Sequence, residues 1–156
     1  MRLLILDDEE PIVKLLTRVC TTEGHDVAPF SCSATALVHL ATQPIDLLVT
    51  DMNMPDPDGV TVIREARRLQ PDIFTLIITG HAGQYPIAEI LGSGTADVMF
   101  KPFHMNELRA RLELAERRRA LIAGLRKEHH TLQAASTEMI QGLETELAGT
   151  RRPKPN

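Results

Sequence analysis

Asp7 and Asp8 follow the apolar run Leu3-Leu4-Ile5-Leu6, and Asp51 follows the run from Ile45 to Thr50. Thr79 closes the run that begins at Ile73, and Lys101 follows the run from Ala96 to Phe100. Carboxylates gathered at one place repel one another and hold protons more tightly unless a cation intervenes. Hard oxygen donors in a compact site favour Mg2+, which takes one or two carboxylates and fills its remaining positions with water and phosphate oxygens. A lysine adds a mobile point charge suited to a phosphoryl group, and a threonine hydroxyl can donate to one of its oxygens. Together these groups neutralise a phosphoryl group in transfer, and one carboxylate can accept it. The chemistry these residue types support is Mg2+-dependent phosphorylation of an aspartate. Singly, each has a plainer reading. Asp7-Asp8-Glu9-Glu10 could be a solvated loop or helix start, Asp51 a loop cap, and Lys101 an exposed lysine before Pro102.

Whether they meet depends on the elements that carry them. The four runs read as strands buried on both faces, and Val27-Ala28-Pro29-Phe30 as a weaker strand whose proline suits an edge. Between them lie helical stripes: Ile12, Leu15, Leu16 and Val19 behind Pro11 and before Gly24; Ala34, Leu37, Val38 and Ala41; Val60, Ile63, Ala66 and Leu69 before Pro71. Ile87, Ile90 and Leu91 make a short fourth stripe, and a fifth begins near Met105. Strands joined through helices run parallel, with right-handed crossovers covering both sheet faces. The expectation is a doubly wound α/β domain, whose ligands bind at the carboxyl ends of the strands. All the residues singled out above fall at such ends.

The segments LLILDDEEP, LLVTDMNMPDPDGV, LIITGHAG and ADVMFKPF resemble the signatures of the response-regulator receiver domain of two-component signalling, over roughly residues 1–120. The resemblance implies a flavodoxin-like five-stranded parallel sheet of order 2-1-3-4-5. It implies Asp51 as phosphoacceptor, Thr79 as switch hydroxyl and Lys101 as phosphate-binding lysine. It also implies Mg2+ held directly by Asp8 and Asp51 and by the backbone carbonyl of Asn53, with Asp7 acting mostly through water. Further implications are a cis Lys101–Pro102 bond, a close turn at Gly59 and a histidine kinase or phosphotransfer protein as donor. The sequence departs from the pattern at Val98, where receivers often carry Tyr or Phe, and at Pro57, where Met or Leu is more usual. Neither change removes a group from the chemistry. Aromatic rotation as a read-out cannot be transferred.

Composition divides the chain. Residues 1–104 carry a net charge of -7 and residues 105–156 a net +3, which suggests a boundary near 104. Ile122, Leu125, His129, Leu132, Ser136, Met139 and Leu143 keep 3-4 spacing past the point where a plain receiver ends, and Leu147 slips by one. The expected organisation is a receiver over 1–120, a helical extension over 121–150 with coiled-coil pairing to a second copy, and a disordered end or linker over 151–156. Basic residues such as Arg117-Arg118-Arg119 are flanked by glutamates, and no aromatic follows Phe103. They read as a helix surface rather than a nucleic-acid interface. Gly92-Ser93-Gly94 reads as a turn, and His81 as a loop histidine.

Two cysteines cannot make a disulfide framework or a four-ligand zinc site. The acidic start carries no secretory leader, and no apolar run approaches the roughly 20 residues of a membrane span. The expectation is a cytoplasmic signalling switch rather than an enzyme acting on small molecules, relaying to a partner, a dimer mate or an output domain outside this sequence. Two rivals stand beside it. One is a phosphorylation-independent scaffold. The other is an aspartyl-phosphate phosphohydrolase of the haloacid-dehalogenase type, which would place Asp-x-Asp at the first strand, whereas Asp51-Met52-Asn53 follows the third.

Overall fold

Period-two alternation sends successive side chains of a strand to opposite faces, and here both faces are buried. The structure, a computed structural model, describes residues 1–55, 57–80, 92 and 97–150, without the side chains of 148–150. Its elements are β1 (Arg2–Leu6), α1 (Glu10–Thr22), β2 (Asp26–Phe30), α2 (Ser33–Thr42), β3 (Leu47–Asp51), α3 (Gly59–Leu69), β4 (Phe74–Thr79), β5 (Asp97–Phe100) and α4 (Met105–Thr150). The strands form one sheet of order β2-β1-β3-β4-β5, with every pairing parallel. Leu3 and Ile5 face a core built with Val13, Leu16 and Cys20 of α1 and Leu108, Leu112 and Ala115 of α4. Leu4 and Leu6 face a second core built with Ala36 and Leu40 of α2 and Val62, Ile63 and Ala66 of α3. This is the doubly wound arrangement expected, in the expected strand order.

Two helical stripes turn differently from the expected phase. In α1 the buried line is Val13, Leu16 and Cys20, while Leu15 is exposed and Ile12 and Val19 lie at the core margin. In α2 it is Ser33, Ala36 and Leu40, while Val38 is exposed. The α2 segment is apolar or small nearly all round, so periodicity alone leaves its phase open. Packing decides it. Gln70, just after α3, donates through Nε2 to the carbonyls of Leu40 (2.7 Å) and Gln43 (2.8 Å) and accepts from Ile45 N–H (2.8 Å). That clamp satisfies carbonyls at the end of α2 that the helix itself cannot.

Gly24 ends α1 at φ +85°, with His25 N–H donating to Cys20 O and Gly24 N–H to Thr21 O, a Schellman stop. β5 is not buried on both faces as expected: Asp97 and Val98 are half-buried and Phe100 is exposed, because β5 is an edge strand. The proline-bearing β2 forms the other edge. Residues Met1–Glu116 form one compact unit, and a second begins at Arg117. The stripe Ile87, Ile90 and Leu91, with His81, Ser93, Gly94, Ala96 and the end 151–156, lies outside the described residues. Among the described residues no helix is long and apolar enough to cross a membrane.

Candidate functional site

Parallel register aligns the strand ends, so each residue just past a strand meets those past its neighbours. Asp7 follows β1 and is 1% exposed; Asp51 ends β3 and is 6% exposed. Thr79 ends β4 fully buried, paired in register with Phe100. The Lys101 N–H then donates to Thr79 O at 2.8 Å. That bond holds the lysine main chain at the end of β5; the Lys101–Pro102 peptide is cis, as expected. Lys101 Nζ reaches Asp7 Oδ2 at 2.8 Å, Asp51 Oδ1 at 3.3 Å and Glu9 Oε1 at 3.5 Å.

The backbone holds both buried carboxylates from the other side. Glu9 N–H donates to Asp7 Oδ1 at 2.9 Å, and Asn53 N–H donates to Asp51 Oδ2 at 3.0 Å. Thr50 Oγ1 donates to the Asp51 carbonyl at 2.9 Å. The loop returns at once: Gly59 N–H donates to Met52 O at 3.1 Å, and Asp58 caps α3 by accepting from Thr61 N–H at 2.8 Å. Only glycine fits at position 59. A Cβ there would lie 2.9 Å from Met52 Cα and nearer still to the Asp51 carbonyl oxygen. The expected close approach at Gly59 is therefore made against the backbone of Asp51 itself.

Electrostatics follow from this packing. Burial pushes the Asp51 carboxyl above its usual value; Lys101 pulls it back, Asp7 adds to the rise, and the outcome is a raised pKa. Burial acts to lower the Lys101 ammonium, but its hydrogen bond to Asp7 and the charges of Asp51 and Asp7 outweigh that, holding it above the usual lysine value. One ammonium thus faces three carboxylates, two of them buried. The remaining negative charge suits a second cation. The donor set is oxygen only, and Mg2+ binds through one or two carboxylates, so the pair Asp7 and Asp51 fits it.

Of the residues read from the sequence, the structure brings Asp7, Asp51 and Lys101 into contact and places Thr79 and Asn53 beside them. Asp8 is exposed. Among the described residues no group of three His, Cys, Asp or Glu side chains is arranged to hold a metal. Glu9 was not expected in the pocket. Its signal was its place in the run Asp7-Asp8-Glu9-Glu10, where α1 begins one residue later and turns the chain back over the site. Val98 packs at the margin of the core on the α2 and α3 face.

A doubly wound sheet with buried carboxylates and a lysine at the carboxyl ends of its strands places this protein in the flavodoxin-like class of α/β proteins. The chain belongs to the response regulator receiver domain family, whose model matches residues 3–113. It is 32% identical over 107 residues to the response regulator receiver protein CpdR of Brucella abortus, covering 69% of this chain and 89% of that one. It is 31% identical over 116 residues to the transcriptional regulatory protein KdpE of Staphylococcus aureus, covering 74% of this chain but 50% of that one. A crystal structure of a response regulator receiver domain protein from Clostridium thermocellum superposes with a TM-score of 0.71 at 26% identity, covering 78% of this chain and 98% of that one. Receivers of this family act as switches in two-component signalling, and phosphorylation is characteristic of them.

Proposed function

We propose that Asp51 accepts a phosphoryl group from the phosphohistidine of a histidine kinase or phosphotransfer protein, and that the phosphorylated receiver relays the event to a partner or output domain. The observation that carries this reading is the single ammonium of Lys101 held 2.8 Å from Asp7 and 3.3 Å from Asp51, two carboxylates that are otherwise buried. In the transfer an Asp51 carboxylate oxygen forms a bond to phosphorus while the donor's P–N bond breaks. The imidazole leaves with the bonding pair and takes up a proton. Lys101 keeps its bond to Asp7 and turns from Asp51 Oδ1 to a phosphoryl oxygen, so the charge gained by Asp51 stays matched. The Asn53 N–H continues to fix the other carboxylate oxygen. The hydroxyl of Thr79, at the end of the adjacent strand, supplies a donor to the phosphoryl group.

Asp8 and Asp51 would hold Mg2+ directly together with the main-chain carbonyl of Asn53, and Asp7 would act on it mostly through water. When bound, Mg2+ neutralises the phosphoryl oxygens as charge develops on them. The same residues support self-phosphorylation from small phosphodonors and autodephosphorylation by water. Phosphorylation shifts a pre-existing equilibrium that is read out at β5 and the start of α4. With Val98 in place of an aromatic, that shift runs through Thr79 rather than through ring rotation.

Labelling by acetyl phosphate tests this. The expected result is incorporation that requires Mg2+ and is abolished in Asp51→Asn. Absence of labelling in the folded wild-type protein would favour the phosphorylation-independent scaffold. Steady turnover of small phosphate esters would favour the phosphohydrolase.

A further inference from the structure

From Leu121 onward α4 carries large apolar side chains that stand exposed among the described residues. Leu125, Leu132, Met139, Leu143 and Leu147 are 53–70% exposed. We propose that residues 121–147 pair in parallel with the same segment of a second copy of this chain, forming a two-stranded coiled coil. Most helical stability in proteins comes from packing of an apolar face rather than from propensity, and Gly124 and Gly142 weaken this helix, with no neighbour within 4 Å among the described residues that would require a glycine. Ile122, Leu125, His129, Leu132, Ser136, Met139 and Leu143 keep 3-4 spacing, as a coiled-coil seam does, and the exposed Leu121, Ile140 and Leu147 flank it.

The heptad positions choose the occupant and its direction. With Ile122 at a and Leu125 at d, the a positions continue through His129, Ser136 and Leu143 and the d positions through Leu132 and Met139. Ile at a with Leu at d favours two strands, and a polar a residue fixes register. Parallel pairing sets His129 against His129 and Ser136 against Ser136, so each buried polar group meets one able to hydrogen-bond with it. Antiparallel pairing sets a against d, which would press His129 and Ser136 onto leucine or methionine and leave them unsatisfied.

The flanking positions agree. Residues five apart in sequence meet across a parallel pair, which matches Glu128 with Gln133 and Leu121 with Arg126, with no like charges opposed at these flanking positions; at the last d position Glu146 faces its own copy, so the seam ends there. It also brings the exposed e residues Ile140 and Leu147 against Ala135 and Gly142 of the second copy, whose small size leaves them room. An acidic or basic partner helix would gain nothing from that match.

The pairing does not depend on phosphorylation of Asp51, and the experiment separates the two. Sedimentation of the full chain at micromolar concentration, wild type and Asp51→Asn alike, should give twice the monomer mass, and Leu125→Asp should give the monomer. In a Cys32→Ser background, where Cys20 is buried, Leu125→Cys and Leu143→Cys should each cross-link to themselves with a short bismaleimide. Gln141→Cys, on the outer face, should do so far more slowly. A monomeric wild type overturns the proposal, and so does self-cross-linking of the two seam variants no faster than that of Gln141→Cys. The second outcome is what antiparallel pairing would give, since these seam positions would then lie at opposite ends.

Discussion

Replacing Gly59 by alanine tests whether the Asp51 pocket is held by backbone packing rather than by side chains alone. In an exposed helical position the change would stabilise the protein by about 1 kcal/mol. At residue 59 the added Cβ meets main chain: it would lie 2.9 Å from Met52 Cα, 3.0 Å from the Asp51 carbonyl carbon and closer still to its oxygen. None of these atoms is the end of a flexible side chain, so either β3 or the start of α3 must move. Both are pinned, by Gly59 N–H on Met52 O and by the Asp58 cap. Overpacking costs about 1–3 kcal/mol, and a rigid neighbour puts this case near 3. For a domain of this size that is a fall in Tm of roughly 10 °C. Thermal unfolding followed by circular dichroism measures it, with Gly80→Ala as the matched control. Among the described residues its Cβ would meet Lys101 Cβ alone, at 3.9 Å, an ordinary contact. Acetyl phosphate labelling should also slow in Gly59→Ala, because the displaced carbonyl belongs to the proposed phosphoacceptor. A Tm equal to or above wild type would show that the turn accommodates the methyl group and refute the reasoning.

Three further changes probe the charges and the α2–α3 clamp. Lys101→Met leaves Asp7 and Asp51 buried without their cation and should cost about 3 kcal/mol; urea titration should show part of that loss recovered by millimolar Mg2+, and no recovery would count against cation binding by this pair. Because Asp51 has a raised pKa when folded, its ionisation opposes folding: the protonated form is favoured below the unfolded value of 3.8, and that stability is lost as pH rises through the folded pKa. Asp51→Asn should therefore unfold at higher temperature than wild type near neutral pH without divalent ions, with the gain vanishing below 3.8; a variant no more stable at neutral pH would contradict this. Gln70→Leu removes two donated bonds and one accepted bond and should cost about 2 kcal/mol in chemical denaturation, while one below 0.5 kcal/mol would mean that water replaces the clamp.

The site was more legible in the sequence than the helices that support it. Strand ends are marked twice, by the close of an apolar run and by a polar residue that a buried strand does not tolerate. Asp7, Asp51, Thr79 and Lys101 could therefore be placed before any contact was known. Helix phase has no such punctuation. In α2, Ala34, Leu37, Val38 and Ala41 form as good a stripe as the one actually buried, Ser33, Ala36 and Leu40. The choice falls to the packing of Ala36 and Leu40 against the sheet, and the end of the helix is then held by Gln70, a residue with no periodic signature. β5 misled for a related reason. Its composition is that of an interior strand, and only the topology, which makes it an edge, says that Phe100 faces outward.

Glu9 shows the same limit within the pocket and sharpens what the pocket is. The run of four acids marked Asp7 and Asp8 at the strand end but gave no hint that Glu9 would turn inward. The order is set by chain direction: β1 delivers Asp7 inward, Asp8 falls on the solvent side, and the N-cap of α1 swings Glu9 back toward Lys101. The lysine is therefore shared among three carboxylates. In the proposed transfer, a phosphoryl oxygen that draws the ammonium from Asp51 Oδ1 would also release Glu9, whose contact is the longest of the three at 3.5 Å and which is exposed while its rivals are buried. Glu9 lies at the start of α1, so a mechanical consequence of the proposed phosphorylation would fall on the entry to that helix. Glu9→Gln should leave the Asp7–Lys101 pair intact and alter the rate of labelling rather than its extent. A change in the final extent, measured at saturating acetyl phosphate, would mean that Glu9 supports the acceptor itself.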